Sequence, residues 1–207
     1  MLDSPYVRRV AISLQRLGLP FEHQSLSVFR TFDQFSQINP VVKAPTLVCD
    51  DGTVLMDSTL MLQYAEAIAA PGMTLMPTDI AGLQRALHVI GVALAACEKS
   101  VQIHYERGLR PAEKQHAPWL TRVTGQALAA YDMLEAEISR RPLAVGADTI
   151  DQAGICTAVA WHFTQQMLPD VVDASRYPAL QKFSAQAEAL PAFQAAAHGD
   201  STYVQKR

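Results

Sequence analysis

Near residue 71 the periodicity of the apolar residues changes. Before it, short runs of strand character alternate with amphipathic helices; after it, helical spacing continues to the end of the 207-residue chain. Pro71-Gly72-Met73 and Pro77-Thr78 mark the junction as a linker. The expected organisation is an α/β domain over residues 1–70, a linker over 71–78 and an all-helical domain over 79–207. A chain built this way needs a substantial core, and with 49% apolar and 18% charged residues it can form one.

The charge balance narrows the partners. Seventeen Lys plus Arg against twenty Asp plus Glu leave a net charge of -3, without the basic footprint that a polynucleotide requires. Cys49, Cys97 and Cys156 are odd in number and far apart, so neither a disulfide framework nor a zinc cage is expected, and reduced thiols point to the cytoplasm. Asp3, Arg8 and Arg9 stand where a leader would be apolar, and no uncharged apolar run reaches the ~18 residues of a membrane span. The expectation is a chain that is neither exported nor embedded. The histidines, at 23, 88, 104, 116, 162 and 198, show no HxH or HExxH spacing, and no metal is expected.

Local signals define the elements. Val7, Val10, Ala11, Leu14 and Leu17 recur at helical spacing, with Arg8, Arg9, Gln15 and Arg16 on the opposite side. Ser4 sits at the N-cap, Pro5 at the first helical position and Gly18 just past the end. Residues 21–27 read as a strand and 44–49 as another, which an Asp51-Gly52 turn joins to a third over 53–56. Ser58 is placed to cap the next helix, with Leu60, Met61, Tyr64, Ala65 and Ile68 as its apolar stripe. In the second part, helices are expected over about 80–106 and 112–140 as an antiparallel pair. Thr149 with Gln152 matches a capping box opening a helix over 153–163, apolar nearly all round and therefore central.

These pieces, SPYVRRV at 4–10, NPVVKAP at 39–45, DGTVLMDS at 51–58 and GADTIDQA at 146–153, resemble the glutathione S-transferase family in its bacterial, serine-type branch. They occur in the family's order across the whole chain. The resemblance implies a thioredoxin-like α/β N-terminal domain followed by an all-α C-terminal domain, assembled as a homodimer. It also implies a central strand ahead of the SPY turn, where only Met1, Leu2 and Asp3 stand here. The first strand is expected to be missing or truncated, with the chain starting late.

The resemblance carries over residue by residue. It makes Ser4 the catalytic residue, its hydroxyl and the helix N-terminus together favouring the thiolate of glutathione. A charge-assisted hydrogen bond of about 1.5–3 kcal/mol is worth roughly one to two pKa units of a thiol. A serine cannot form the mixed disulfides of thioredoxins, and without a GxSxG elbow or a base it is no hydrolase nucleophile. Pro45 matches the family's cis-proline, which turns Ala44 toward the cysteinyl unit of glutathione. Lys43 is placed for the glycyl carboxylate; Asp57 and Ser58 are placed for the γ-glutamyl ammonium and carboxylate. The acceptor pocket implied by the family draws on Tyr6 and Tyr105, with Phe29, His104 and Trp119 as further contributors. The implied reaction joins glutathione, as co-substrate, to a small hydrophobic electrophile. A non-catalytic binding module and a glutathione-dependent isomerase or disulfide reductase are the alternatives on the same scaffold.

Overall fold

The computed structural model describes residues 1–203. Two compact units emerge, Met76–Ala189 and a unit that joins Met1–Leu75 to the chain from Leu190 onward. The last stretch was expected in the helical domain; it returns instead to the first unit, and positions 204–207 lie outside the described residues.

The first unit runs α1 (Pro5–Arg16), α2 (Phe32–Ile38), β1 (Thr46–Val48), β2 (Val54–Met56) and α3 (Ser58–Ile68). α1 forms as its caps predict: the Ser4 hydroxyl accepts from the Val7 N–H, Pro5 opens the helix, and Gly18 adopts φ 69° beyond it. Its apolar face packs on α3, burying Val7, Val10, Ala11 and Leu14 with Met61, Leu62 and Ala65. β1 and β2 pair antiparallel, Thr46 opposite Met56 and Val48 opposite Val54, around the Asp51-Gly52 turn.

The expected strand over 21–27 does not form, and residues 1–3 make none. A strand needs a neighbouring ladder, and the two-stranded sheet is all that the described residues provide. The segment is held by the end of the chain instead. Phe21 stacks on Tyr203 with ring centroids 4.5 Å apart, the Tyr203 N–H donates to His23 Nδ1 at 3.0 Å, and Ser25 donates to the Asp200 carbonyl at 2.8 Å. A short helix, α8 (Pro191–Ala195), then packs on α1.

The helical unit comprises α4 (Ile80–Leu109), α5 (Ala117–Arg140), α6 (Gln152–Met167) and α7 (Pro178–Glu188). α4 packs on both α5 and α6, and α6 on α7. By length and composition α4 is long and apolar enough to cross a membrane, but Val89, Ala93, Ala96 and Ile103 on its inner face are buried. Residues 112–114 form a separate 3-10 turn ahead of α5, because the Pro111 and Pro118 positions interrupt a continuous helix. α6 is buried on nearly every side, as its unbroken apolar character requires. Its cap is Asp151, whose Oδ1 accepts from the Gly154 N–H at 2.8 Å, and not Thr149. Asp151 offers the same cap geometry two residues later, where the chain enters α6. A Cβ at Gly154 would come 2.8 Å from Ile150 Cγ1 and 3.3 Å from Phe183, so glycine lets α7 approach α6 closely.

Candidate functional site

The site residues of the first unit gather around the start of α3 and the loop entering β1. The Ala44–Pro45 peptide is cis. Neither the N–H nor the C=O of Ala44 takes part in a backbone hydrogen bond among the described residues, so both are open to an extended, peptide-like ligand. Next to it Lys43 Nζ lies 3.6 Å from Asp57 Oδ2, both side chains about half exposed.

Asp57, not Ser58, caps α3. Its Oδ1 accepts from the Thr59 N–H at 2.9 Å, and its backbone takes φ 73°, in the left-handed region that an Asp tolerates better than most residues. Partial burial pushes its carboxyl up, but the N–H groups of Thr59 and Leu60 and the Lys43 ammonium together hold it below the usual carboxylate range. A carboxylate fixed in this way is ionised at neutral pH and suited to an ammonium partner.

Ser58 is buried as the first residue of α3, and its hydroxyl accepts from Arg9 Nη1 at 3.0 Å. The same nitrogen donates to Thr59 Oγ1 at 3.2 Å. Arg9 was expected on the polar face of α1; it is only 3% exposed, and no described carboxylate pairs with it. Its Nε has no hydrogen-bond partner. A buried cation beside a helix N-terminus makes this end of α3 electropositive, the setting a carboxylate ligand needs. No local pattern marks Arg9 for this role, because its acceptors lie 49 and 50 residues away. Arg8, also expected outside, is 1% exposed: Nε donates to the Ala196 carbonyl at 2.7 Å and the guanidinium lies 5.5 Å from the Phe193 ring centroid.

Ser4 stands half-buried at the start of α1. Its oxygen receives the Val7 N–H at 3.4 Å, beyond the usual hydrogen-bond range, and its own hydrogen goes to no acceptor among the described residues. The hydroxyl is a weak cap with its donor to spare, and no base among the described residues bonds it.

Of the residues expected at the acceptor pocket, Tyr6 and Phe29 belong to the first unit and His104, Tyr105 and Trp119 to the helical unit. Tyr6 is on α1, half-buried, and Phe29 is 55% exposed in the loop before α2. In the helical unit Tyr105 and Trp119 line a pocket of about 370 Å³ with Gln102, Glu106, Leu109 and Arg110. Glu106 closes one side, accepting from the His116 N–H at 3.0 Å and pairing with Arg110 at 2.8 Å. His104 packs edge-on against Phe163. Among the described residues no group of His, Cys, Asp and Glu is assembled to hold a metal ion.

Known proteins share this architecture. Residues 1–72 match the family model of the glutathione S-transferase N-terminal domain. An uncharacterized GST-like protein of Escherichia coli K12, YibF, is 28% identical over 158 residues, 76% of either chain. A glutathione transferase family member from Pseudomonas fluorescens Pf-5, solved with S-(propanoic acid)-glutathione, is 29% identical with a TM-score of 0.77 over 95% of both chains. A glutathione S-transferase of Methylobacterium radiotolerans, solved with glutathione sulfonate, is 27% identical with a TM-score of 0.82, over 99% of this chain and 93% of the other. By this likeness along nearly its whole length the chain has the fold of the glutathione transferases, a thioredoxin-like N-terminal domain followed by a helical C-terminal domain, and its first domain is a glutathione S-transferase N-terminal domain.

Proposed function

We propose that this chain is a glutathione transferase that binds glutathione on its first unit and activates its thiol for attack on a small hydrophobic electrophile. The observation that carries the reading is the unused backbone of Ala44 beside the cis Pro45, flanked by Lys43 and by Asp57 at the start of α3. Glutathione is a tripeptide with an ammonium, two carboxylates and a thiol. Ala44 would pair with its cysteinyl backbone, Lys43 would meet the glycyl carboxylate, and Asp57 would take the γ-glutamyl ammonium. Ser58 and the N-terminus of α3, backed by the Arg9 charge, would take the γ-glutamyl carboxylate.

In this reading Ser4 donates its free hydrogen to the sulfur and lowers the thiol's pKa. The thiol proton passes to solvent, the sulfur forms a bond to the electrophilic carbon, and the leaving group departs with its electron pair. No metal takes part. Tyr6 and Tyr105 are the proposed contributors to acceptor binding. A homodimer belongs to the same proposal: Leu60, Tyr64 and Ile68, each one turn apart on α3, are 59%, 39% and 51% exposed and form an apolar stripe for a second copy to cover.

The test is conjugation of 1-chloro-2,4-dinitrobenzene, followed by absorbance, in the parent and in Ser4→Ala. Loss of a charge-assisted hydrogen bond predicts a fall in kcat/KM of about tenfold to a hundredfold. Parent-like turnover in Ser4→Ala would remove Ser4 from the mechanism. Glutathione binding with no turnover toward any electrophile would leave a binding module in place of an enzyme.

A further inference from the structure

One buried amide organises the whole loop that carries Lys43 and Ala44. Asn39, 1% exposed, ends α2, its N–H donating to the Phe35 carbonyl at 3.0 Å. Its side-chain Oδ1 accepts from the Val41 N–H at 3.0 Å and its backbone carbonyl from the Val42 N–H at 2.9 Å, which together fold the chain back at residues 40–42. Its Nδ2 donates to Thr46 Oγ1 at 2.9 Å, and that hydroxyl passes its own hydrogen to the Lys43 carbonyl at 2.7 Å. A continuous run of hydrogen bonds thus joins the end of α2, the loop and the first residue of β1.

Within this loop Val42 has φ 51°, a left-handed conformation that is unusual for a β-branched residue. Such a conformation persists where the surroundings over-determine it, and it points to a function for the segment it shapes. The bonds from Asn39 on one side and Thr46 on the other supply that constraint. What they shape is the approach to Ala44, whose N–H and C=O are left without backbone partners.

We infer that Asn39, acting through Thr46, is a positioning residue for the ligand cradle: it holds the Lys43 carbonyl and the Ala44 backbone in their ligand-facing arrangement before ligand arrives. The inference rests on the glutathione reading above. Preorganisation of this kind raises affinity by removing the cost of ordering the loop on binding. Asn39 and Thr46 touch no ligand in this account, so their contribution is to the dissociation constant.

The experiment is calorimetric titration with reduced glutathione of the parent, Asn39→Ala, Thr46→Val and Thr46→Ser, alongside thermal unfolding of each. Thr46→Val keeps the shape and strand preference of the side chain and removes only the hydroxyl link, so it decides the matter if Asn39→Ala fails to fold. The inference predicts affinity weakened about two- to tenfold in Thr46→Val, the range of one lost hydrogen bond. It predicts a larger loss in Asn39→Ala and parent-like affinity restored in Thr46→Ser. Parent-like affinity in Thr46→Val, whether or not its thermal midpoint drops, would overturn the role of Asn39 while leaving the glutathione reading intact. A parent that binds no glutathione would overturn that reading and this inference with it.

Discussion

The two units bury polar groups of different kinds. On α1 the first unit buries two guanidinium groups, Arg8 tied to the carbonyls of the returning chain end and Arg9 to the hydroxyls at the start of α3. Where α4, α5 and α6 meet, the helical unit buries neutral hydroxyls: Tyr131 meets Thr164 at 2.5 Å and the Ala160 carbonyl at 3.1 Å, and Thr164 donates to Ser100 at 2.8 Å. A buried charge is costly unless something repays it, whereas a closed hydroxyl network costs little and fixes helix register. The contrast separates buried cations that tie α1 to the start of α3 and to the returning segment from a neutral network that joins three helices.

The largest expected effect is at Arg8. Arg8→Ala leaves the Ala196 and Phe193 carbonyls without their donor and a gap beside the Phe193 ring, and is expected to cost about 2–4 kcal/mol of stability in urea unfolding. Arg9→Met asks whether the second charge serves the ligand. An apolar side chain of similar length in place of a buried charge is expected to leave stability nearly unchanged while glutathione affinity drops about tenfold by calorimetry. A stability loss without an affinity loss would make Arg9 a packing device like its neighbour. In the helical unit, Tyr131→Phe removes one member of a network whose remaining pair stays bonded. Its expected cost is about 1 kcal/mol in urea unfolding with unchanged glutathione affinity.

The smallest expected effect is a difference in acid sensitivity. Burial, with the nearby N-terminal ammonium, lowers His23 from 6.5 to about 4, whereas burial pushes the Tyr131 phenol up, away from the acid range. Between those two values the unfolded chain binds a proton at His23 that the folded chain does not. The stability of the first unit therefore falls as pH drops from 6.5 toward about 4, and this contribution levels off below it. Thermal unfolding of the parent and of His23→Gln over that range should show a steeper decline in the parent. Parallel declines would mean that the contact of His23 with the Tyr203 N–H does not sense the proton.

Legibility in the sequence followed the range of the interactions. Ser4, Pro5 and Gly18 delimit α1, and Asp51-Gly52 makes the hairpin, because caps and turns are satisfied by residues a few positions away. α6 was readable for the opposite reason: a helix apolar on every side has only the centre of a bundle to occupy. Reading failed where partners are distant or signals compete. The periodicity of α1 sends Arg8 and Arg9 to solvent, and only acceptors from α8 and α3 bring them inside. Residues 21–27 have strand composition, but a strand exists only with a partner, and Tyr203 stacks there instead. At α6 Thr149 and Asp151 each present a cap residue, and at α3 Asp57 and Ser58 do so side by side; backbone direction chose the acid in both. At the candidate site the cis Ala44–Pro45 bond followed from motif register, whereas the Lys43–Asp57 pairing and the buried support from Arg9 and Asn39 became visible only in three dimensions.

Glutathione binding by the first unit is tested by titrating reduced glutathione into the parent and into Asp57→Ala by calorimetry. One site per chain is expected in the parent, with a dissociation constant on the order of micromolar to low millimolar, where enzymes hold their substrates, and markedly weaker binding in Asp57→Ala. No heat and no thermal shift in the parent at high glutathione concentration, or equal affinity in the two proteins, would contradict it.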